Sequence, residues 1–320
     1  MRSCNRHVNR LSLILEYVIC PACGSDLGTA GQALRCAGCG RKYEVVGGRI
    51  PSMLDALTAD AEFSMRKWDE RYLGDDPAGE AERAYKRWYL DDTKRQVLEQ
   101  SPATPGGGGV FLEVGCGLGF LGEELARDGW LFIGIDFSLN SLLLLERRLT
   151  DRGIDNYLLV HGDILSLPIR DRSLDLVYGG GAIEHFKGTQ TVISNIFRAL
   201  KAGGVSFNTV PFFNVGNLLY RSLWGGIPNV PVLRWVSEFV HLRVLGGRHM
   251  AFGYELQFTR PQLLRMHFCA GFSIDNVIVG RFDCQIQLEK IGDGGLKSFL
   301  IRLCRTNRHF WPMVKVVAVK

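Results

Sequence analysis

From residue 110 onward, short apolar runs alternate with segments in which apolar positions recur every three or four residues. The runs at 110–114, 131–135, 157–160, 174–178 and 205–210 predict buried strands. Segments 119–128, 139–150 and 190–200 predict the helices between them, with Gly203-Gly204 as the stop of the third. Parallel strands need crossover connections, so this alternation predicts an α/β domain: a parallel sheet with helices on both faces. Further on, 261–269 predicts a helix ending at Gly271, with Thr259 at its N-cap and Pro261 at its first position. Segments 273–279 and 314–319 predict the last two strands.

Upstream, residues 53–100 read as two helices rich in aromatics: Phe63, Trp68 and Tyr72, then Tyr85, Trp88 and Tyr89. Asp75-Asp76-Pro77-Ala78-Gly79 breaks them, and 102–109 (PATPGGGG) is a low-complexity linker. Aromatics so spaced predict a packed face rather than a substrate box. Residues 211–253 interrupt the α/β pattern with an apolar stretch dotted by Arg221, Arg234, Arg243 and Arg248. Two readings stand: a helical lid packed on its own domain, or a lid for a membrane surface or lipid substrate. The organisation expected is an N-terminal segment with a cysteine module at 1–52, a helical lid or linker region at 53–104, and the α/β domain at 105–320 with its insert at 211–253.

Composition narrows the class. The chain has 320 residues, 46% hydrophobic and 22% charged, with a net charge of +5, which excludes a largely disordered protein. No apolar run approaches the roughly 18 residues of a spanning helix. Arg2, Arg6 and Arg10 precede an apolar run at 11–20, as in a secretory signal. Glu16 interrupts that run, however, and a cysteine pair stands where small residues would mark cleavage, so the cytoplasm is the expected compartment. The charge is uneven: residues 51–210 carry 17 basic and 24 acidic residues, while 281–320 carry eight and three. An acidic middle argues against a nucleic-acid channel, and basic ends suit an anionic surface.

Four of the nine cysteines form a Cys-x2-Cys pair, a twelve-residue spacer and a second Cys-x2-Cys pair: Cys20, Cys23, Cys36 and Cys39. A glycine follows each pair (Gly24 and Gly40), which suits a knuckle with backbone N–H groups turned toward sulfur. Four thiolates so placed predict a structural Zn2+ site, because a module this small needs a metal for stability. The alternatives are a redox dithiol and a metal-free ribbon. A redox pair would sit alone at a βα junction, which is absent here.

The first strand of the α/β domain runs into Glu113-Val-Gly115-Cys-Gly117-Leu-Gly119. Glycines at a strand-to-helix turn let the backbone approach a ligand closely. Asp136, at the end of the second strand, is placed to accept hydrogen bonds from ribose hydroxyls. The dinucleotide pattern Gly-x-Gly-x-x-Gly is not met, since Phe120 occupies its third glycine position, and no Gly-Lys-Ser/Thr follows for a phosphate loop. This set resembles the class I S-adenosylmethionine-dependent methyltransferases. In that resemblance Glu113, Gly115, Gly117 and Gly119 form the first motif, and Asp136 with Phe137 the ribose-binding segment. Asp163 and Ile164 are the adenine contacts, Asp175-Leu-Val-Tyr178 is the fourth-strand motif, and 200–204 is the turn before the fifth strand. It covers about residues 105–320 and implies a Rossmann-like seven-stranded methyltransferase sheet. The last two strands form an antiparallel pair split by an insert at about 281–312. The cofactor implied is S-adenosyl-L-methionine, with Glu113 helping to hold its amino end.

Glu184-His185, after the fourth strand, resembles the Glu-His pair of the ubiquinone-type O-methyltransferase branch. It makes His185 the candidate general base beside Glu184; the other reading is that Glu184 is structural and His185 lines the cofactor site. Some members of that branch place another Glu three residues earlier and bind metal with the set; Gly181 stands there, which argues against a catalytic metal. His249, Tyr254 and Glu255 are candidates to face the substrate, whereas His241 and His267 read as packing residues. The cysteine module resembles zinc ribbons that precede bacterial methyltransferase domains, including those of rRNA guanine methyltransferases. In the latter the last ligand is often His, and Cys39 stands here.

The function expected is methyl transfer to a small-molecule or lipid-linked acceptor, at oxygen, with peripheral membrane contact through 211–253 on the inner face of the membrane. The alternative is an RNA methyltransferase whose ribbon grips nucleic acid. A third reading is a noncatalytic scaffold. The acceptor's identity and the oligomeric state are not written in the sequence.

Overall fold

The computed structural model describes residues 10–55, 57, 59–72, 80–101, 108–250, 253–282 and 294–320. The breaker expected at 75–79 and most of the glycine-rich linker lie outside them. Helix α1 (Arg10–Tyr17) leads into a four-stranded antiparallel ribbon, β1 (Leu27–Ala30), β2 (Ala33–Cys36), β3 (Lys42–Val46) and β4 (Ile50–Pro51). Two helices follow, α2 (Ala59–Tyr72) and α3 (Glu80–Leu98).

The α/β domain then runs β5 (Val110–Val114), α4 (Phe120–Arg127), β6 (Leu131–Asp136), α5 (Leu139–Asp151), β7 (Tyr157–His161), β8 (Leu174–Gly180), α6 (Thr189–Ala199) and β9 (Leu200–Pro211). The insert supplies α7 (Val215–Tyr220), β10 (Gly226–Pro228), α8 (Pro231–Glu238) and β11 (Glu255–Gln257). The chain closes with α9 (Arg260–Ala270), β12 (Val277–Phe282), α10 (Gly295–Thr306) and β13 (Met313–Val319). The seven-stranded sheet has the order β12-β13-β9-β8-β5-β6-β7, and only β13 runs against its neighbours. The crossover direction reverses between β5 and β8, so the crevice beyond their C-terminal ends is where an open α/β sheet binds ligand.

Both faces of this sheet are buried, in alternation along each strand. Leu112, Val114, Ile133 and Ile135 pack on one side, and Phe111, Phe132 and Leu176 on the other. The ribbon joins the first of these cores: Cys20, Leu34, Cys36, Tyr43 and Met53 pack in one cluster with Ile164, Leu167 and Ile169. It also covers the β7 edge. Ser52 bridges His161 in parallel register, and Met53 N donates to His161 O at 2.7 Å. Val18 bridges Ile169 on the other side of the ribbon. An exposed edge strand is a template for aggregation, and here the ribbon occupies it.

Two boundaries differ from the pattern-based expectation. β9 begins at Leu200, so Gly203 and Gly204 lie inside the strand rather than before it. The register with β8 shifts there, Gly203 has φ +75°, and a Cβ on Gly204 would lie 3.1 Å from Leu174 O. The pair makes a bulge, which a helix-stop reading of two glycines misses. β12 begins at Val277 because 274–276 form a 3-10 turn. The α9 signals act as read: Thr259 and Gln262 form a reciprocal capping box, and Gly271 closes the helix at φ +113°.

Candidate active site and cysteine cluster

The glycine turn leaves β5 and enters α4 through left-handed backbone at Gly115, Gly117 and Gly119. A Cβ on Gly115 would lie 2.9 Å from that of Ala182, so the close approach itself demands glycine there. Two buried carboxylates fasten the turn. Glu113 Oε2 accepts from Gly122 N at 2.9 Å; Asp136 Oδ2 accepts from Gly117 N at 2.8 Å and its Oδ1 from Ser138 N at 2.8 Å. Burial pushes Glu113 up to about 8 against the pull of the Gly122 N–H and of Arg148. Burial likewise raises Asp136 to about 6, with the two backbone N–H groups opposing it. A cationic ligand would draw both toward the ionised form.

Asp163 and Ile164 lie after β7. Asp163 Oδ1 accepts from Leu165 N at 2.8 Å and caps the 3-10 turn 164–166, while Ile164 is buried. The Phe137 ring meets Phe186 edge-on at 6.5 Å. The Phe137 carbonyl takes a hydrogen bond from His161 Nε2 at 3.2 Å, and His161 Nδ1 lies 2.8 Å from Ser52 Oγ. A neutral imidazole that donates from Nε2 must accept at Nδ1, so the Ser52 hydroxyl donates. Burial lowers the His161 pKa and keeps it neutral. The ribbon is thereby joined to the segment that carries Asp136.

Glu184 and His185 sit in the 3-10 turn that follows β8, and both are buried. His185 Nδ1 donates to Tyr254 O at 2.6 Å, which leaves Nε2 as the basic nitrogen. Burial lowers its pKa, opposed by the Glu255 charge and by the Tyr254 and Gly181 carbonyls. Burial drives Glu184 far above the carboxylate range, and the nearby Glu255 charge adds to that. A protonated Glu184 is therefore a hydrogen-bond donor as well as an acceptor. Its Oε2 is buried with no partner among the described residues. From the insert, Arg221 pairs with Glu255 at 2.6 Å, both nearly buried.

Sequence reasoning missed what α2 does here. Its Trp68 meets the His185 ring edge-on at 6.3 Å, and its Ser64 Oγ accepts from Tyr254 N at 3.1 Å. Its Asp69 accepts from Ser138 Oγ, beside Asp136. The aromatic spacing was visible, but nothing local says which ligand end of the sheet the helix covers. His249 lies 2.9 Å from His241 Nδ1, within the insert. His267 Nδ1 bonds Leu263 O at 2.8 Å.

These buried groups set a pH optimum for the ligand-free protein. Glu113, with its folded pKa raised, favours folding below the ordinary glutamate pKa, and that contribution is lost as pH climbs through about 8. His267 is depressed to about 4 by burial, so stability falls as pH drops from 6.5 toward 4, by up to about 3 kcal/mol. His161 and His185 act in the same direction as His267. Denaturant titrations across pH 4–9 should show stability falling between about pH 6.5 and 8, where Glu113 and Glu184 lose their contributions and the histidines no longer change, and a profile that rises steadily to pH 9 would refute this assignment.

In the ribbon, the Sγ atoms of Cys20, Cys23, Cys36 and Cys39 all lie within 4.8 Å of one another. Cys20 to Cys39 is 3.7 Å and Cys23 to Cys36 is 3.4 Å. With Zn–S bonds of about 2.3 Å, the edge of a tetrahedron is about 3.8 Å, so four thiolates so arranged fit a tetrahedral ion. Gly24 and Gly40 take φ +72° and +73° at the two knuckles, and Cys39 N donates to Cys36 Sγ at 3.4 Å.

Comparison with known proteins agrees with this geometry. Residues 111–204 match the family described as "Methyltransferase domain". The chain is 30% identical over 128 residues to a demethylmenaquinone methyltransferase of Geobacillus stearothermophilus, which is 39% of this chain and 51% of that protein. The chain thus spans about half the length of the curated relatives it matches. Among solved structures, phosphoethanolamine N-methyltransferase 2 of Haemonchus contortus, in complex with S-adenosylhomocysteine, aligns with TM-score 0.55 at 17% identity, over 82% of this chain and 60% of that one. Geranyl diphosphate C-methyltransferase of Streptomyces coelicolor A3(2) aligns with TM-score 0.53 at 14% identity, over 82% and 98%. Residues 111–204 therefore match a methyltransferase domain, and the seven-stranded sheet around them has the fold of the S-adenosylmethionine-dependent methyltransferases.

Proposed function

We propose that the protein methylates a small-molecule or lipid-linked acceptor at oxygen, using S-adenosyl-L-methionine. The observation that carries this reading is the buried His185, oriented by Tyr254 O beneath the 211–253 insert. S-adenosylmethionine supplies a methyl group on a positively charged sulfur. The residues proposed to hold it are Glu113, Gly115, Gly117, Gly119, Asp136, Phe137, Asp163 and Ile164. His185 Nε2 takes the acceptor's hydroxyl proton, and protonated Glu184 orients the acceptor. Trp68 and the insert exclude water, which keeps the acceptor from competing with solvent. The Arg221–Glu255 pair fixes the inner face of the insert above the site.

The cysteine cluster is proposed to hold a structural zinc ion. The relative named for demethylmenaquinone and the fold neighbour solved with geranyl diphosphate support a small-molecule acceptor over RNA. Among the described residues no helix is long and apolar enough to cross a membrane. The compartment proposed is the cytoplasm, with the insert touching the inner membrane face.

Replacing His185 with Asn should lower turnover by about 10²–10⁴-fold and leave S-adenosylmethionine affinity within about threefold. Kinetics with methyl-labelled cofactor and a lipid extract, beside a binding titration, check this. Turnover within a few fold of wild type would remove His185 as the base.

A further inference from the structure

The insert and the C-terminal region each present a helix, α8 and α10, with no fully buried residue. A helix in a globular protein ordinarily hides an apolar stripe against the core. Here large apolar side chains stay exposed on both helices, although Leu300, Ile301 and Leu303 of α10 are half-buried. Val232 is 73% exposed and Trp235 68%, and Phe239 and Val244 on the following π-helical turn are 52% and 63% exposed. Trp235 and Phe239 stack on each other at 6.1 Å. On α10, Leu296 and Phe299 are 66% and 60% exposed. Helix α7 links the two: its exposed Leu219 extends the apolar surface, and Gly216 approaches Phe310, just past α10.

Among the described residues the charge on these elements is mostly basic. Residues 294–320 contain no Asp or Glu, and α10 carries Lys297, Arg302 and Arg305, with Arg308 just beyond it. The insert adds Arg243 and Arg248. The only carboxylate in 211–253, Glu238, is engaged by Arg234 and the Tyr254 hydroxyl, and Glu255 just beyond it by Arg221. We propose that α8 with its π-helical turn, α7 and α10 form a basic, apolar docking surface for an anionic lipid bilayer. Amphipathic helices with Trp and Phe on one side and Arg on the other lie in the bilayer interface. A second copy of the chain is a poorer occupant, because it would set arginine against arginine. The inference deepens the lipid-linked reading above and rests on it for its purpose. It extends the contact beyond the insert to α10.

The test is sedimentation of the full-length protein with vesicles of phosphatidylcholine alone and with about one third phosphatidylglycerol. Each basic side chain near an anionic surface contributes roughly fivefold in partitioning. Binding should require phosphatidylglycerol, weaken in high salt, and fall about 25-fold in the double variant Arg302→Gln/Arg305→Gln. The double variant Trp235→Ser/Phe239→Ser should fall by at least tenfold. Both variants should keep wild-type S-adenosylmethionine affinity and thermal midpoint. No binding to anionic vesicles, equal binding to neutral ones, or unchanged binding by both variants would overturn the proposal. Vesicle binding needs no acceptor, so its failure beside methylated lipid product would leave the proposed activity standing. Binding without any methylated product would sink the activity and leave the surface.

Discussion

Asp136→Ala is expected to weaken S-adenosylmethionine binding by about two to three orders of magnitude while the sheet stays folded. The carboxylate spans two segments, holding Gly117 N in the glycine turn and Ser138 N at the start of α5. Each hydrogen bond to a charged group contributes about 1.5–3 kcal/mol, and alanine forfeits both along with the partner for ribose. Asp136→Asn retains one acceptor oxygen and should recover part of the loss. Because burial holds the ligand-free carboxyls of Asp136 at about 6 and Glu113 at about 8, affinity should rise with pH through both values, and the Asp136 variants should lose the lower step. Isothermal titration of wild type and both variants from pH 5 to 8 measures this. A loss below about fivefold in the alanine variant would remove Asp136 from the cofactor site.

Stripping metal from the ribbon should be the most destabilising treatment of all. Apparent binding free energies of structural zinc run to about 10–16 kcal/mol, comparable with the whole stability of a domain. The ribbon is also not free to melt alone. Its Cys20, Leu34, Cys36 and Met53 share a core with Ile164 and Leu167, and its exit strand covers the edge of β7. Loss of that edge releases His161 from Ser52, and with it the carbonyl of Phe137 beside Asp136. A chelator titration should therefore release about one zinc per chain and lower the thermal midpoint by more than 10 °C. Cofactor affinity should fall about tenfold with it. The Cys20→Ser variant should reproduce these losses. Purified protein without zinc, or a midpoint unmoved by saturating chelator, would contradict this.

What was legible in the sequence was mostly local. The buried parallel strands announce themselves as apolar runs, and β5 begins and ends where its run does. The glycine turn is legible because positive φ and a 2.9 Å approach leave no other residue type room. The cysteine spacing carries its own geometry, since two knuckles suffice to bring four sulfurs together. What was not legible depends on packing between distant segments. Nothing in the aromatic pattern of 59–72 says that Trp68 and Asp69 arrive beside His185 and Ser138. The choice between a packed lid and a membrane lid likewise depends on what each face of the insert meets. Its inner face pairs Arg221 with Glu255 while its outer helix has no fully buried residue. Periodicity reports that a helix has two faces, but not what each face meets.

The central claim is methyl transfer to a small-molecule or lipid-linked acceptor. Its most direct test is to incubate the protein with methyl-labelled S-adenosylmethionine and an extract of its own cells, then count label in separated lipid, small-molecule, RNA and protein fractions. The account predicts label in the lipid or small-molecule fraction, lost in His185→Asn, and on an acceptor oxygen when the product is analysed. Label confined to RNA or protein would contradict it and recast the ribbon as a docking surface for a macromolecule.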